Sequence, residues 1–144
     1  TEVNDLNAGR YGMVGFATQT AAIGAGGYAS PPTPTPHRTQ VVESWDGTNW
    51  TEVADLTTAK EQTAGAGTTT SGLVYGGRTG PTAMNATTES WNGSAWTEVN
   101  DLGSAVDQHA GTGISTLALS FSRSRVQICA KSGTTFTTSP AFSN

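Results

Sequence analysis

Cysteine, histidine and charge are all scarce in this chain, and each scarcity closes off a class of function. A single cysteine, Cys129, leaves no intrachain disulfide framework and no cysteine-based metal centre. His37 and His109 are the only histidines; they lie far apart, with no carboxylate or histidine at helical spacing, whereas zinc and copper sites need three or four convergent ligands. Only 12% of the residues are charged and the net charge is −4, so the basic footprint that grips a phosphate backbone is missing and nucleic acid is not an expected partner. No run approaches the ~18 apolar residues of a spanning helix, so no membrane insertion is expected. No charged-then-apolar leader opens the sequence. The acids are also unevenly placed: residues 1–116 hold 11 acidic against four basic residues, whereas 117–144 hold Arg123, Arg125 and Lys131 and no acid, so the C-terminal segment differs in kind.

Glycine, threonine, alanine and serine take the place of the missing charges. Threonine suits pleated strands, and glycine with Asn and Asp suits the turns between them, so an all-β chain is expected; 144 residues make one domain or one repeat array. Self-similarity decides between the two. ESWDGTNWTEVADL at 43–56 returns as ESWNGSAWTEVNDL at 89–102, a shift of 46, and TEVNDL at 1–6 precedes TEVADL at 51–56 by 50. After Asp-Leu, each copy runs through a polar stretch ending in Arg10 or Lys60, a small-residue strand, and an apolar strand closing on Gly26-Gly27 or Gly76-Gly77. A variable loop follows, then a hairpin in which Trp45 and Trp50, or Trp91 and Trp96, flank Asp46-Gly47 or Asn92-Gly93, dipeptides suited to a primed turn. About four short strands per 46 to 50 residues is the period of a propeller blade.

With the glycine doublet, the loop, the aromatic strand and the strand opening on Trp in this order, the chain resembles a kelch repeat over roughly residues 1–116. Trp91 stands where that family usually has Tyr, and Arg10 and Lys60 fall where it often places a base before the next blade. The resemblance implies an all-β fold of about three four-stranded propeller blades: 1–6 as the outer strand of a preceding blade, 7–56 as the first blade, 57–102 as the second, and 103–144 as a divergent terminal one. In the last, the shift of 46 from the doublet lands on Ser122-Arg123 and no Trp follows; AGTGIS, TLALSFS, RVQICAKS and TTFTTSPAF trace its strands, with Phe136 in the Trp position. That segment is either a degenerate terminal repeat or unrelated to the repeat, as a change of reading frame would leave it. Propellers close with ~4 to 8 blades, so three imply a partner: a second copy completing a six-bladed ring, a filament, or the remainder of a longer array.

Residues copied into every repeat point to structure. Trp45, Trp50, Trp91 and Trp96 are expected as core between blades rather than as sugar platforms, together with Gly26, Gly27, Gly76 and Gly77. Glu43 with Glu89, Glu52 with Glu98 and Asp55 with Asp101 recur at the same period, which suits bonding of turn amides better than the paired carboxylates of glycoside hydrolysis. The Trp-Asp-Gly turn is similar to a sialidase Asp box, itself a structural turn, and is one residue short of it. Galactose-oxidase-like propeller enzymes need Tyr, His and Cys converging on copper, for which Tyr11, Tyr28, Tyr75 and Cys129 supply no recognisable set. No catalytic residue, metal ligand or cofactor is therefore expected. Function is expected in the loops that differ between repeats, 28–40 and 78–87, with Tyr28, Pro34, His37, Arg38, Arg78 and Asn85 as candidate ligand contacts. The reading is a non-enzymatic binding module of a secreted, cell-surface or viral-appendage protein that recognises a glycan or a protein. The alternatives are a structural subunit of a virion or extracellular fibre and, third, a glycan-active enzyme.

Overall fold

The computed structural model describes residues 2–29, 37–122 and 125–130, and over these the chain is all-β with antiparallel pairing throughout. Pro34 and residues 131–144, Phe136 among them, lie outside the described residues. In chain order the strands are β1 (Arg10–Tyr11), β2 (Val14–Thr18), β3 (Ala21–Ala25), β4 (Tyr28–Ala29), β5 (His37–Arg38), β6 (Val42–Trp45), β7 (Trp50–Val53), β8 (Ala64–Thr68), β9 (Ser71–Tyr75), β10 (Thr88–Trp91), β11 (Trp96–Val99), β12 (Ala110–Ile114), β13 (Leu117–Ser122) and β14 (Arg125–Ala130). They form a first sheet β2-β3-β6-β7, a second β8-β9-β10-β11, a third β12-β13-β14, and a small ladder β1-β4-β5. That small ladder was not expected: the segment read as a variable loop is pinned at its ends, where Tyr28 pairs with Arg38 and Ala29 with His37.

Each Trp hairpin closes in the same way. Trp45 pairs with Trp50, and the Asp46 amide donates to the Asn49 carbonyl. Positive φ falls on Gly47 alone, at 96°, and Asp46 instead accepts the Thr48 and Asn49 amides on Oδ1 at 2.8 and 2.7 Å. Those two amides, Asn49 foremost, hold the Asp46 carboxyl below its ordinary range. Asn92 and Gly93 repeat the arrangement. The indole N–H of Trp45 donates to the Gln19 carbonyl and that of Trp91 to Thr69, tying each hairpin to the tip of the preceding one.

The glycine doublets hold the segments that connect the sheets. All four glycines have positive φ. Gly26 N–H donates to the Val41 carbonyl and Gly27 N–H to Lys60, while Gly76 and Gly77 donate to Thr87 and Val106. A Cβ on Gly77 would lie 2.5 Å from the Glu61 carbonyl, so the close approach itself demands glycine.

Successive sheets pack through their first strands, β2 on β8 and β8 on β12. One apolar cluster fills the first interface with Val14, Ile23, Ala25, Val42 and Leu56 against Val74, Trp91 and Trp96. Another fills the second with Ala64, Ala66, Leu73, Tyr75, Leu102 and Val106 against Ala118. Small residues in the strands let the sheets approach closely. The Phe16 ring lies where a Cβ on Gly65 or Gly72 would stand, 2.9 and 2.6 Å away, and the Tyr75 hydroxyl lies where a Cβ on Gly111 would, 2.0 Å away. A backbone series crosses both interfaces: the Gln62 amide donates to the Gly12 carbonyl at 2.6 Å, and the Gln108 amide to the Gln62 carbonyl at 3.2 Å.

Among the described residues the third sheet has three strands, and it departs from the other two in the connection after its second strand. A two-residue connection joins β13 to β14, where the first and second sheets carry long loops, so β14 arrives early in the sequence and a fixed shift of 46 misses its register. Ser122, which stands at the doublet position, continues the strand and pairs with Arg125.

Candidate functional site

Buried polar groups recur at the sheet interfaces. Glu43 is fully buried on β6, faces Arg10 at 2.7 Å, and accepts from the Asn7 amide and side chain on its other oxygen. Glu89, on β10, repeats this with Lys60 at 2.7 Å and the Thr57 amide at 2.6 Å; neither side chain of that pair has any exposure. Lys60 also donates to Thr87 Oγ1. Gln127 takes the corresponding place in the third sheet: it pairs with Ser120 as Glu89 pairs with Val74, accepts from the Ser104 amide at 3.0 Å and donates to the Ser104 carbonyl. A neutral amide replaces the carboxylate in the sheet where Val106 replaces the cation. Of the carboxylates that recur in the repeat, Glu43 and Glu89 are thus absorbed into packing, while Glu52 and Glu98 on the outer strands, and Asp55 and Asp101 just after them, stay exposed.

The Trp residues are absorbed too. Trp45, Trp91 and Trp96 are buried and Trp50 is half-buried; each pair stacks at a tilt, with centroids 5.4 and 5.2 Å apart. Three of the four indoles are thus buried, and Trp50 is the most open of the four.

What remains for recognition lies at the end of the sheets that carries the variable loops. The small ladder places Tyr11 opposite Tyr28 with ring centroids 5.4 Å apart, and the Arg38 guanidinium lies 5.5 Å from the Tyr28 ring centre, within cation–π range. Arg38 reaches Glu61 at 2.6 Å, the backbone of Glu61 bridges to Arg78, and Arg78 pairs with Asp107. These contacts draw the three sheets into one continuous strip, Tyr11, Tyr28, Arg38, Glu61, Arg78 and Asp107, in which each arginine of one sheet is held by an acid leading into the next. Tyr11 is 59% exposed and Met84, whose backbone bridges to Arg78, is 54% exposed, so the strip offers apolar surface beside paired charge.

Of the candidate contacts, Tyr28, Arg38 and Arg78 come together in this strip. His37 sits on its exposed edge, across from Ala29. Asn85 turns inward, its backbone bridging to Val106 and its side chain accepting from the Thr87 amide, so it serves the framework. Pro34 lies outside the described residues. Sequence reasoning missed Tyr11, Glu61 and Asp107 as a set; the available signal was that all three directly follow the residue at the Arg10/Lys60 position, one step after it in each repeat.

His109 faces inward beside Tyr75, with ring centroids 5.8 Å apart. Burial holds its pKa below the ordinary histidine value, against the opposing pull of Asp107 and of a hydrogen bond to the Tyr75 backbone. Among the described residues no group of three or more His, Cys, Asp and Glu side chains converges as a metal site. Among these residues no helix is long and apolar enough to cross a membrane. No family model matches the chain, and no curated protein matches it.

Proposed function

We propose that the chain is an array of kelch-like propeller blades acting as a non-enzymatic binding module, and that the strip at its loop end recognises a glycan. The observation that carries this reading is the tyrosine pair of exposed Tyr11 and half-buried Tyr28, with Arg38 over the Tyr28 ring. An aromatic face matches the apolar face of a pyranose, and a planar guanidinium supplies paired donors to ring hydroxyls or an acidic sugar. The segments bearing this group vary between repeats, while the Trp hairpins and glycine doublets that carry them recur, which is how a rigid scaffold displays a changing specificity. The weakly charged, threonine- and glycine-rich composition with a lone cysteine fits a secreted, cell-surface or virion setting.

The test is a glycan array probed with the wild-type chain and with Tyr11→Ala and Arg38→Ala. Binding to a defined set of sugars that falls at least about tenfold in both variants is expected. Binding that survives both substitutions unchanged, or no sugar bound at all, refutes the reading, and release of product from a chromogenic glycoside panel refutes its non-enzymatic part.

A further inference from the structure

The two interfaces inside the chain follow two different rules, and the outer faces of the first and third sheets carry the two halves of the second. In the first interface the knob is Phe16 on β2, and the second sheet answers with Gly65 and Gly72, where neither position has a Cβ to obstruct the ring. In the second interface the residue equivalent to Phe16 is Ala66, and the knob is Tyr75 on β9, whose hydroxyl donates to the Leu119 carbonyl at 3.0 Å. The third sheet answers with Gly111 alone, its neighbour being Ala118, which is fully buried. So an aromatic on the first strand meets two glycines, and an aromatic on the second strand meets glycine followed by alanine.

Beyond the third sheet the next knob is Phe121, which stands on β13 where Tyr75 stands on β9. It is 40% exposed, beside Ile114 at 63% and Leu117 at 54%. On the outer side of the first sheet the corresponding receptor is Gly15 with Ala22, the same glycine-alanine pair that receives Tyr75. Gly15 is exposed, and a Cβ built on it meets nothing closer than the Ile23 carbonyl at 3.8 Å, so its notch is open where those of Gly65 and Gly111 are filled. The backbone series runs the same way: donors pass from Gln62 to Gly12 and from Gln108 to Gln62, which makes the Gln108 carbonyl the next acceptor and the Gly12 amide the donor that matches it.

From this we infer that the exposed face of the third sheet docks the first sheet of a second copy of this chain, head to tail, with Phe121 of one copy seated on Gly15 of the other. The occupant is argued from continuity: the contact repeats the knob and receptor of the interface already present between the second and third sheets, with phenylalanine in place of tyrosine against the same glycine-alanine pair. The inference does not depend on what the loop end binds. Identical copies joined in this way make a heterologous contact, which either closes into a ring or extends as a filament.

The experiment is sedimentation velocity on the purified chain and on Phe121→Asp and Gly15→Leu, over a hundredfold range of concentration. The wild type is expected to form a dimer or a growing series, and each variant alone to stay at monomer mass. Both substitutions fall on exposed positions, so tryptophan fluorescence serves as the check that each variant keeps its fold. Mixing the two variants provides the decisive arm. Phe121→Asp retains an intact Gly15 notch and Gly15→Leu an intact Phe121 knob, so the mixture is expected to form one-to-one pairs that do not extend. A monomeric wild type, association that persists in both variants, or a mixture that stays monomeric overturns the inference.

Discussion

Converting the polar site of the second sheet into the form found in the third tests whether the buried pair Lys60–Glu89 is there for stability or for complementarity. Both side chains are fully removed from solvent and 2.7 Å apart. Glu89→Gln leaves the Lys60 ammonium buried with only Thr87 Oγ1 as a neutral partner, and Lys60→Met leaves the carboxylate with the Thr57 amide. Stranding one charge of a buried pair costs about 3–5 kcal/mol. At roughly 3 °C per kcal/mol for a chain of this size, each single variant is expected to melt about 10 °C below wild type. The double variant strands no charge. A glutamine at 89 still accepts from Thr57, as Gln127 accepts from Ser104, and methionine fills the lysine's volume, so it is expected within about 1.5 kcal/mol of wild type. Guanidinium unfolding followed by tryptophan emission measures all four corners of the cycle. Effects that simply add, with the double variant as weak as the sum of the singles, refute the claim that the two charges serve chiefly to neutralise each other.

Two further outcomes follow from the backbone and from His109. Ala17 has φ of 90° where the equivalent Gly67 and Gly113 have 125° and 131°. Ala17→Gly is therefore expected to stabilise the chain by about 1 kcal/mol, the relief of a left-handed alanine less the entropy a glycine adds to the unfolded chain, and a lower denaturation midpoint refutes the strain. His109 has a folded pKa below its unfolded value near 6.5 because burial disfavours the charged ring. The unfolded chain therefore binds the extra proton first, so this residue's contribution is complete above pH 6.5 and declines as the pH falls through and below it. Unfolding midpoints from pH 7.5 to 5 are expected to drop more for wild type than for His109→Gln, and parallel profiles refute the assignment.

The Trp hairpins and the glycine doublets were legible in the sequence because they recur with the repeat and because their chemistry is local: Gly47 and Gly93 take the positive φ of the turn, and the doublets take the close approach of the connecting segments. The strands AGTGI, LALSFS and RVQICA of the third sheet were traceable by the same patterning. Gln127 was not recognised as the partner of Glu43 and Glu89, because the shortened connection between β13 and β14 moves it out of the period and because glutamine and glutamate share a role only once Val106 is seen to replace the cation. The strip at the loop end was half legible. Tyr28, Arg38 and Arg78 lie on the variable segments, but Tyr11, Glu61 and Asp107 share nothing in sequence except their place after the basic position, and only the folded chain joins them. The exchange of Phe16 and Ala25 for Ala66 and Tyr75 conserves bulk across two strands, which a comparison position by position reads as two unrelated changes.

That exchange bears on how a chain of look-alike parts keeps its order while it assembles. Near-identical repeats invite the wrong neighbours to dock, within one chain or between chains. Of the three sheets, only the second lacks a methyl at the position occupied by Gly72; Ala22 and Ala118 stand there in the others, and a Cβ at that point meets the Phe16 ring at 2.6 Å. Mispairing the first sheet with the third would drive that ring into a methyl group, a crowding of the kind that costs about 1–3 kcal/mol in a packed interior. The address that tells the second sheet apart from its siblings is thus a single absent carbon atom.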